Sequence, residues 1–272
     1  MIFREYPPHK ALKPYIKCYW TLKYASPVSA DGGQQFLADG MELMFNLGDP
    51  MTVVENDTGS CAIIDAGFSG PMSQPMTMKP SGIIDLFGVC FRAGGAYPFF
   101  SLPANELANR CADLEDLWGS NGRRALDRIK DDRFSTQQQI QDLDAFFIHK
   151  LKQNRNDDVA VAKALHTLEV NQGRVSIEDL AASTRLSSRQ LERKFKERVG
   201  LSPKKLGRNL RFKSVFKYLT EFPSESWSAV ALACGYYDQA HMIRDFRHFT
   251  GVSPTLYFDR QLGMETFFTA NF

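Results

Sequence analysis

The chain has 272 residues, enough for two ordinary domains. Hydrophobic residues make up 43% and charged residues 24%, which excludes disorder and collagen for the bulk of the chain, and no apolar run approaches the ~20 residues of a membrane span. The net charge of +2 hides an uneven split: residues 1–156 carry 16 basic against 18 acidic side chains, and residues 157–260 carry 17 against 12.

Taken from the N-terminus, MIFREYPPHK lacks the apolar stretch of a secretory signal. Short apolar segments bounded by turn residues then predict strands at 16–23, 41–46, 51–55, 62–68, 76–79 and 83–91. Leu47-Gly48-Asp49-Pro50 and Lys79-Pro80-Ser81-Gly82 punctuate them as turns. Several short strands at close spacing imply a β sandwich or barrel over 1–100. Helical periodicity follows at 105–110, 114–118, 123–130 and 137–151, the last with Ile140, Leu143, Phe147 and Leu151 on one face. The expected first domain is 1–152, β-rich over 1–100 and helical over 103–152, with a polar linker at 152–158. Asp39, Glu42, Asn46 and Arg92 are polar residues inside apolar segments. They are candidates to line an effector pocket, or else they bridge turns and strand ends. Tyr97-Pro98-Phe99-Phe100 reads as core. The five cysteines (Cys18, Cys61, Cys90, Cys111, Cys234) are scattered without CxxC spacing, so neither a disulfide framework nor a zinc site is expected, and a reducing cytoplasm fits.

The second domain is expected at 158–260. It opens with a helix over 159–171, capped by Asp157 or Asp158 and ended by Gly173. The segments 177–203 and 227–254 then repeat each other: Ile177 meets Trp227, Leu180 meets Val230 and Ala181 meets Ala231. After one extra residue in the second copy, Leu191 meets Met242, Phe195 meets Phe246, Gly200 meets Gly251 and Pro203 meets Pro254. Each copy reads as helix, short turn, helix. Ser176 caps the first helix of copy one, Ser187 with Gln190 forms a capping box for the second, and Gly200 stops it. In copy two, Gly235 permits the turn, Asp238 caps the second helix and Gly251 ends it. Between the copies lies a long helix begun by Pro203 and closed before Pro223. Its apolar faces are Leu206, Leu210, Phe212, Val215, Phe216 and Leu219, and Arg208, Arg211, Lys213 and Lys217 are assigned outward.

From Arg185 to Lys217 there are 12 basic residues against Glu192 and Glu197 alone. Such density suits a polyphosphate, because displaced counterions supply most non-specific nucleic-acid affinity. The unburied face of the helix at 188–199 presents Arg189, Glu192 and Arg193. The matching face at 239–250 presents Gln239, Ala240, His241, Ile243 and Arg244. A helix of this girth fits a major groove, where arginine takes guanine bidentately and small apolar groups touch a thymine methyl. Ser188, Lys196, Lys204, Lys205, Arg208 and Arg247 are the expected phosphate contacts.

These residues resemble the DNA-binding domain of the AraC/XylS family of bacterial transcription regulators over about 158–258. The most specific parts are 175–180 with 188–196, and 233–241 through 244–247 to Gly251-Val252-Ser253-Pro254. Ala240-His241-Met242 departs from a common Ser-Tyr-Phe run. The resemblance implies two helix-turn-helix units on a rigid connector, set to read two successive major grooves of double-stranded DNA. Tyr19-Trp20, 37–48 and 88–96 are similar to an N-terminal domain of one branch of the family. It stands where relatives carry an effector-binding, often cupin-like, barrel and a dimerising helix. The implied protein is an α+β, effector-responsive transcription regulator of the cytoplasm, a homodimer, with RNA polymerase as a candidate partner and no membrane association.

Catalytic patterns are missing: there is no GxGxxG, P-loop, GxSxG or HExxH. The five histidines lie far apart except His241 and His248, and an alkyl-accepting repair protein of this type would need clustered CxxC ligands. The expectation is therefore a protein that is not an enzyme and carries no cofactor or metal. Two alternatives are a cupin-like small-molecule-binding enzyme with a fused helical module, and a protein-interaction adaptor whose basic helices bind an acidic partner.

Overall fold

Strand β2 (Ile16–Tyr24) buries Tyr19 on one face and Cys18, Trp20 and Leu22 on the other. A strand apolar on both faces belongs in the middle of a layered structure. The computed structural model of the chain describes residues 2–24, 34–36, 40–54, 61–63, 65–100, 102–131, 133–154 and 158–259. Within it β2 pairs with β1 (Ile2–Tyr6) and β9 (Ile84–Phe91), and β9 pairs with β4 (Glu42–Asn46). Then come β7 (Ala66–Ser69) and the edge strand β10 (Cys111–Asp113), making a six-stranded antiparallel sheet. A second antiparallel sheet runs β3 (Gln34–Phe36), β8 (Met76–Pro80), β5 (Met51–Val54), β6 (Cys61–Ile63).

One face of the six-stranded sheet is covered by α1 (Leu114–Trp118), α2 (Ser120–Lys130) and α3 (Thr136–Asn154), with an aromatic core of Phe45, Phe68, Phe91, Phe99, Trp118 and Phe147. Phe99 and Phe100 are core, as their sequence context suggests. On the other face Met51, Val53, Met76 and Met78 of the small sheet join one continuous cluster with Trp20, Met44 and Leu86. That cluster runs on into the C-terminal helices through Phe212, Val215, Phe246 and Phe249.

The C-terminal region is all helical: α4 (Val159–Val170), α5 (Ile177–Thr184), α6 (Ser188–Val199), α7 (Pro203–Glu221), α8 (Trp227–Ala233), α9 (Gln239–Thr250) and α10 (Pro254–Asp259). Gly173, at φ +75°, lies so close to α7 that a Cβ there would stand 2.1 Å from the Gly207 carbonyl oxygen. The paired glycines bring the end of α4 onto the connector helix, so Gly207 is a packing point within α7.

The fold is α+β, as expected, with a β-rich half before a helical one. Three strands carry no legible alternation and were not expected: β1, β3 and β10. The expected strand at 62–68 divides into β6 and β7, and the expected helix at 105–110 is a single 3-10 turn at Ala104–Glu106. Among the described helices none is long and apolar enough to cross a membrane.

Candidate nucleic-acid interface

In the first helix-turn-helix unit, the Ser176 side chain accepts from the Asp179 amide and starts α5. Arg185 then turns the chain in the left-handed region at φ +57°. Ser187 and Gln190 form the reciprocal capping box that opens α6. Leu191, Phe195 and Val199 pin α6 onto a core with Val161, Ala164, Leu168 and Leu180. Gly200, at φ +84°, ends it. The second unit repeats the design: Ser226 caps α8, Asp238 accepts from the His241 amide at 2.6 Å to cap α9, and Gly251 stops α9 at φ +76°. Met242, Phe246 and Phe249 are its buried face.

With those faces fixed, the opposite faces are set. On α6, Ser188, Arg189, Glu192, Arg193 and Lys196 are exposed. Glu192 and Lys196 pair along the helix at 3.0 Å. On α9, Ala240, Arg244 and Arg247 are exposed, and Gln239, His241 and Ile243 half-buried. Gln239 accepts from the Ser228 hydroxyl at 2.7 Å, and His241 stands edge-on to Tyr236. Lys204 is exposed at the start of α7. Lys205, also exposed, donates to the Ser73 hydroxyl at 3.4 Å. Arg208 is engaged inside the protein. It donates to Asp245 of α9 at 2.9 Å and lies 5.1 Å from the Phe249 ring. Two of the other three cations assigned outward on α7 also differ from expectation: Arg211 lies over Tyr236 and Lys213 faces the N-terminal half, whereas Lys217 is exposed.

Asp158 does more than cap α4: it pairs with Lys194 at 2.5 Å and Arg198 at 3.5 Å of α6. Burial pushes its carboxyl up. The Lys194 and Val161 hydrogen bonds and the two cations outweigh that and hold it below the ordinary carboxylate range.

The N-terminal half docks away from these exposed faces. Tyr97 donates to Glu197 at 3.0 Å and lies under the Arg198 guanidinium, and Pro71 abuts Gly200. The Asn209 side chain donates to the Met72 carbonyl at 2.6 Å, and the His248 ring lies 3.1 Å from the Ser73 carbonyl.

Between the halves is a cavity of about 180 Å³. Lys17, Glu42 and Cys90 line it from the six-stranded sheet, Arg92 from just beyond β9, Glu169 from α4, and Leu206, Leu210 and Lys213 from α7. Two of the four expected pocket residues, Glu42 and Arg92, therefore come together here. Asn46 bridges a turn instead, its amide donating to the Asp49 carbonyl and accepting from Gly48. Asp39 lies outside the described residues. Sequence reading missed Lys17, Cys90 and Lys213. Nothing in strand alternation marks Lys17, and Lys213 required knowledge of what covers α7.

A family model described as "Helix-turn-helix domain" matches residues 180–260, and one described as "Domain of unknown function (DUF6597)" matches residues 4–113. No curated protein matches the chain. The fold is similar to that of ToxT from Vibrio cholerae O395 bound to (E)-4-(8-methylnaphthalen-1-yl)but-3-enoic acid. That likeness has 12% identity and a TM-score of 0.52, over 88% of this chain and 97% of that one. A transcriptional regulator from Chromobacterium violaceum, described as an AraC-type DNA-binding domain-containing protein, is 28% identical over 38% of this chain and 93% of its own, with a TM-score of 0.34. A probable AraC family transcriptional regulator from Rhodopseudomonas palustris CGA009 is 30% identical over 38% of this chain and 97% of its own, also with a TM-score of 0.34. On that sequence identity, together with the helix-turn-helix match, the chain belongs to the AraC family of DNA-binding transcription regulators.

Proposed function

We propose that this regulator reads two successive major grooves of double-stranded DNA, one with α6 and one with α9, and that a small organic anion in the interdomain cavity tunes it. The observation that carries the reading is the pair of helices with anchored apolar faces and open polar ones. Arg189, Glu192 and Arg193 stand open on α6, and Ala240 and Arg244 on α9, while the N-terminal half rests elsewhere. Arg193 and Arg244 take base edges. Ser188, Lys196, Lys204, Lys205 and Arg247 take phosphates, and Gln239, His241 and Ile243 shape the second contact. Arg208, engaged with Asp245, belongs to the frame. Residues 1–152 are the sensing and dimerising part and 158–260 the DNA-reading part. In this reading the chain works as a cytoplasmic homodimer, meets RNA polymerase on its promoter and acts by binding, without catalysis.

Support for an anion comes from the cavity itself. Lys17, Arg92 and Lys213 outnumber Glu42 and Glu169 on its lining, beside an apolar wall of Phe91, Leu206 and Leu210. The similarly folded ToxT is bound to a carboxylic acid carrying an aromatic group. Selection from random duplexes with the full chain tests the DNA reading. A motif of two elements about one helical turn, ~10 bp, apart is expected. No enriched motif, or a single short element, refutes it. A panel of aromatic and aliphatic carboxylic acids, scored by thermal shift, tests the cavity: a shift lost in Lys213→Ala supports it, and a shift unchanged by that substitution refutes it.

A further inference from the structure

We propose that Cys18 and Cys90 are an oxidisable dithiol, a modification site at which a peroxide closes a disulfide between β2 and β9 beside the interdomain cavity. The two residues are direct register partners in the antiparallel ladder. Residues opposite each other there have Cα atoms ~4.5–5.5 Å apart, within the range a disulfide spans without backbone movement. Partners also share a face of the sheet, and both pack in the cluster between the two sheets and α7. The Cys90 thiol donates to the Phe91 carbonyl at 3.9 Å, and the adjoining Cys18 sulfur, burial and the Glu42 carboxylate hold it above the ordinary thiol range.

Cys18 is fixed in place by donating to the Glu5 carboxylate on β1 at 3.8 Å. One further feature suits the pair to oxidation rather than to inert packing. Cys90 is half-buried and lines the cavity, so a molecule little larger than water reaches it. Cys111 faces the Met76 sulfur at 3.6 Å, and Cys234 is buried at the end of α8.

The chemistry balances with hydrogen peroxide as oxidant. One sulfur, as thiolate, attacks a peroxide oxygen. The O–O bond breaks, leaving a sulfenic acid and a hydroxide that takes up the thiol proton as water. The second sulfur then attacks the sulfenic sulfur, the S–O bond breaks, and the departing hydroxide leaves as a second water with the second thiol's proton. Both sulfurs are oxidised by one electron each and the peroxide is reduced by two. A thiol reductant reverses the product by exchange. The assignment holds whether or not the cavity binds an organic anion.

The test treats the full chain with hydrogen peroxide, alkylates the remaining thiols and maps peptides without reduction. The expected result is a linked peptide joining residues 18 and 90, loss of alkylation at both, and recovery of both thiols after dithiothreitol. In Cys90→Ser and Cys18→Ser the link disappears, and at least one variant retains a sulfenic acid that dimedone traps. Persistence of both thiols in folded, treated protein overturns the proposal. Oxidation to a sulfinic acid without a link, or linkage through another cysteine in preference, overturns it too. Because the mapping is made on the unmodified chain, it decides the question even where a serine variant fails to fold.

Discussion

The position of Arg208 separates two roles that one sequence supports, phosphate contact and internal strut, and the structure gives each a different signature. Arg208 donates to Asp245 at 2.9 Å, with side-chain exposures of 35% for the arginine and 6% for the aspartate. In Arg208→Ala the Asp245 carboxylate is left buried with no cation beside it, and its Oδ2 already lacks a hydrogen-bond partner among the described residues. Breaking a fully buried pair from this side costs about 3–5 kcal/mol. Partial exposure of the arginine lowers that, and the lost packing on Phe249 raises it again. The expected loss is about 2–3 kcal/mol, which moves a urea midpoint by about 1 M at an ordinary slope. Asp245→Ala is milder, at about 1–2 kcal/mol, because the orphaned guanidinium can turn to water. The two losses couple in a double-mutant cycle. In DNA titrations over a range of salt, neither variant changes the slope of affinity against salt. The reasoning is refuted by an Arg208→Ala protein of unchanged urea midpoint whose salt slope falls by about one, the mark of a lost phosphate contact.

Three further outcomes follow from other sites. Lys204→Ala lowers affinity for every duplex alike and reduces the salt slope by about one, whereas Arg193→Ala and Arg244→Ala each cost about 1–3 kcal/mol on the selected site and relax it at one base step; parallel titrations on matched and scrambled duplexes separate them. Gly173→Ala combines a positive φ with a collision on the Gly207 carbonyl and costs about 3 kcal/mol or more in denaturation, while Gly119→Ala, at φ +57° and ψ −137° in a region essentially reserved for glycine but with no atom within 4 Å of its Cβ, costs about 2 kcal/mol from the backbone alone. The Asp158 carboxyl titrates below its unfolded value of about 3.9, so its contribution is fully present above that pH and is lost as pH falls through the folded value; thermal melts from about pH 6 down to pH 3 show a shallower loss in Asp158→Asn, which keeps the cap but not the charge.

The helical half was legible because its signals are local. Ser187 with Gln190, Asp238, Gly200 and Gly251 sit where caps and stops must sit, and the structure uses each in that role. Apolar spacing gave the buried faces of α6 and α9, so the open faces followed by subtraction. The sheets were legible only where alternation or an apolar run marked a strand. β1, with three of five residues exposed, and the three-residue strands β3 and β10 exist because a neighbour offers them hydrogen bonds, which no local pattern announces. The same limit governed the site residues. Arg208, Arg211 and Lys213 look like a solvent face on a helical wheel. Their surroundings come from Asp245, Tyr236 and the six-stranded sheet, which lie far along the chain.

The short segment between β7 and β8 ties the two halves together, and of the side chains assigned to DNA it touches Lys205. Pro71 abuts Gly200 at the end of α6, the Met72 carbonyl takes the Asn209 amide of α7, and Ser73 meets Lys205 of α7 and His248 near the end of α9. Three consecutive residues of the β half, 71 to 73, thus carry contacts to both reading helices and their connector. Met72 is fully buried among them, so the segment cannot move without disturbing a packed core. Gly70 fixes its start, since a Cβ there would stand 1.7 Å from the Leu107 carbonyl oxygen. The segment therefore joins β7 and β8 to the ends of α6 and α9 and to α7 in one packed unit.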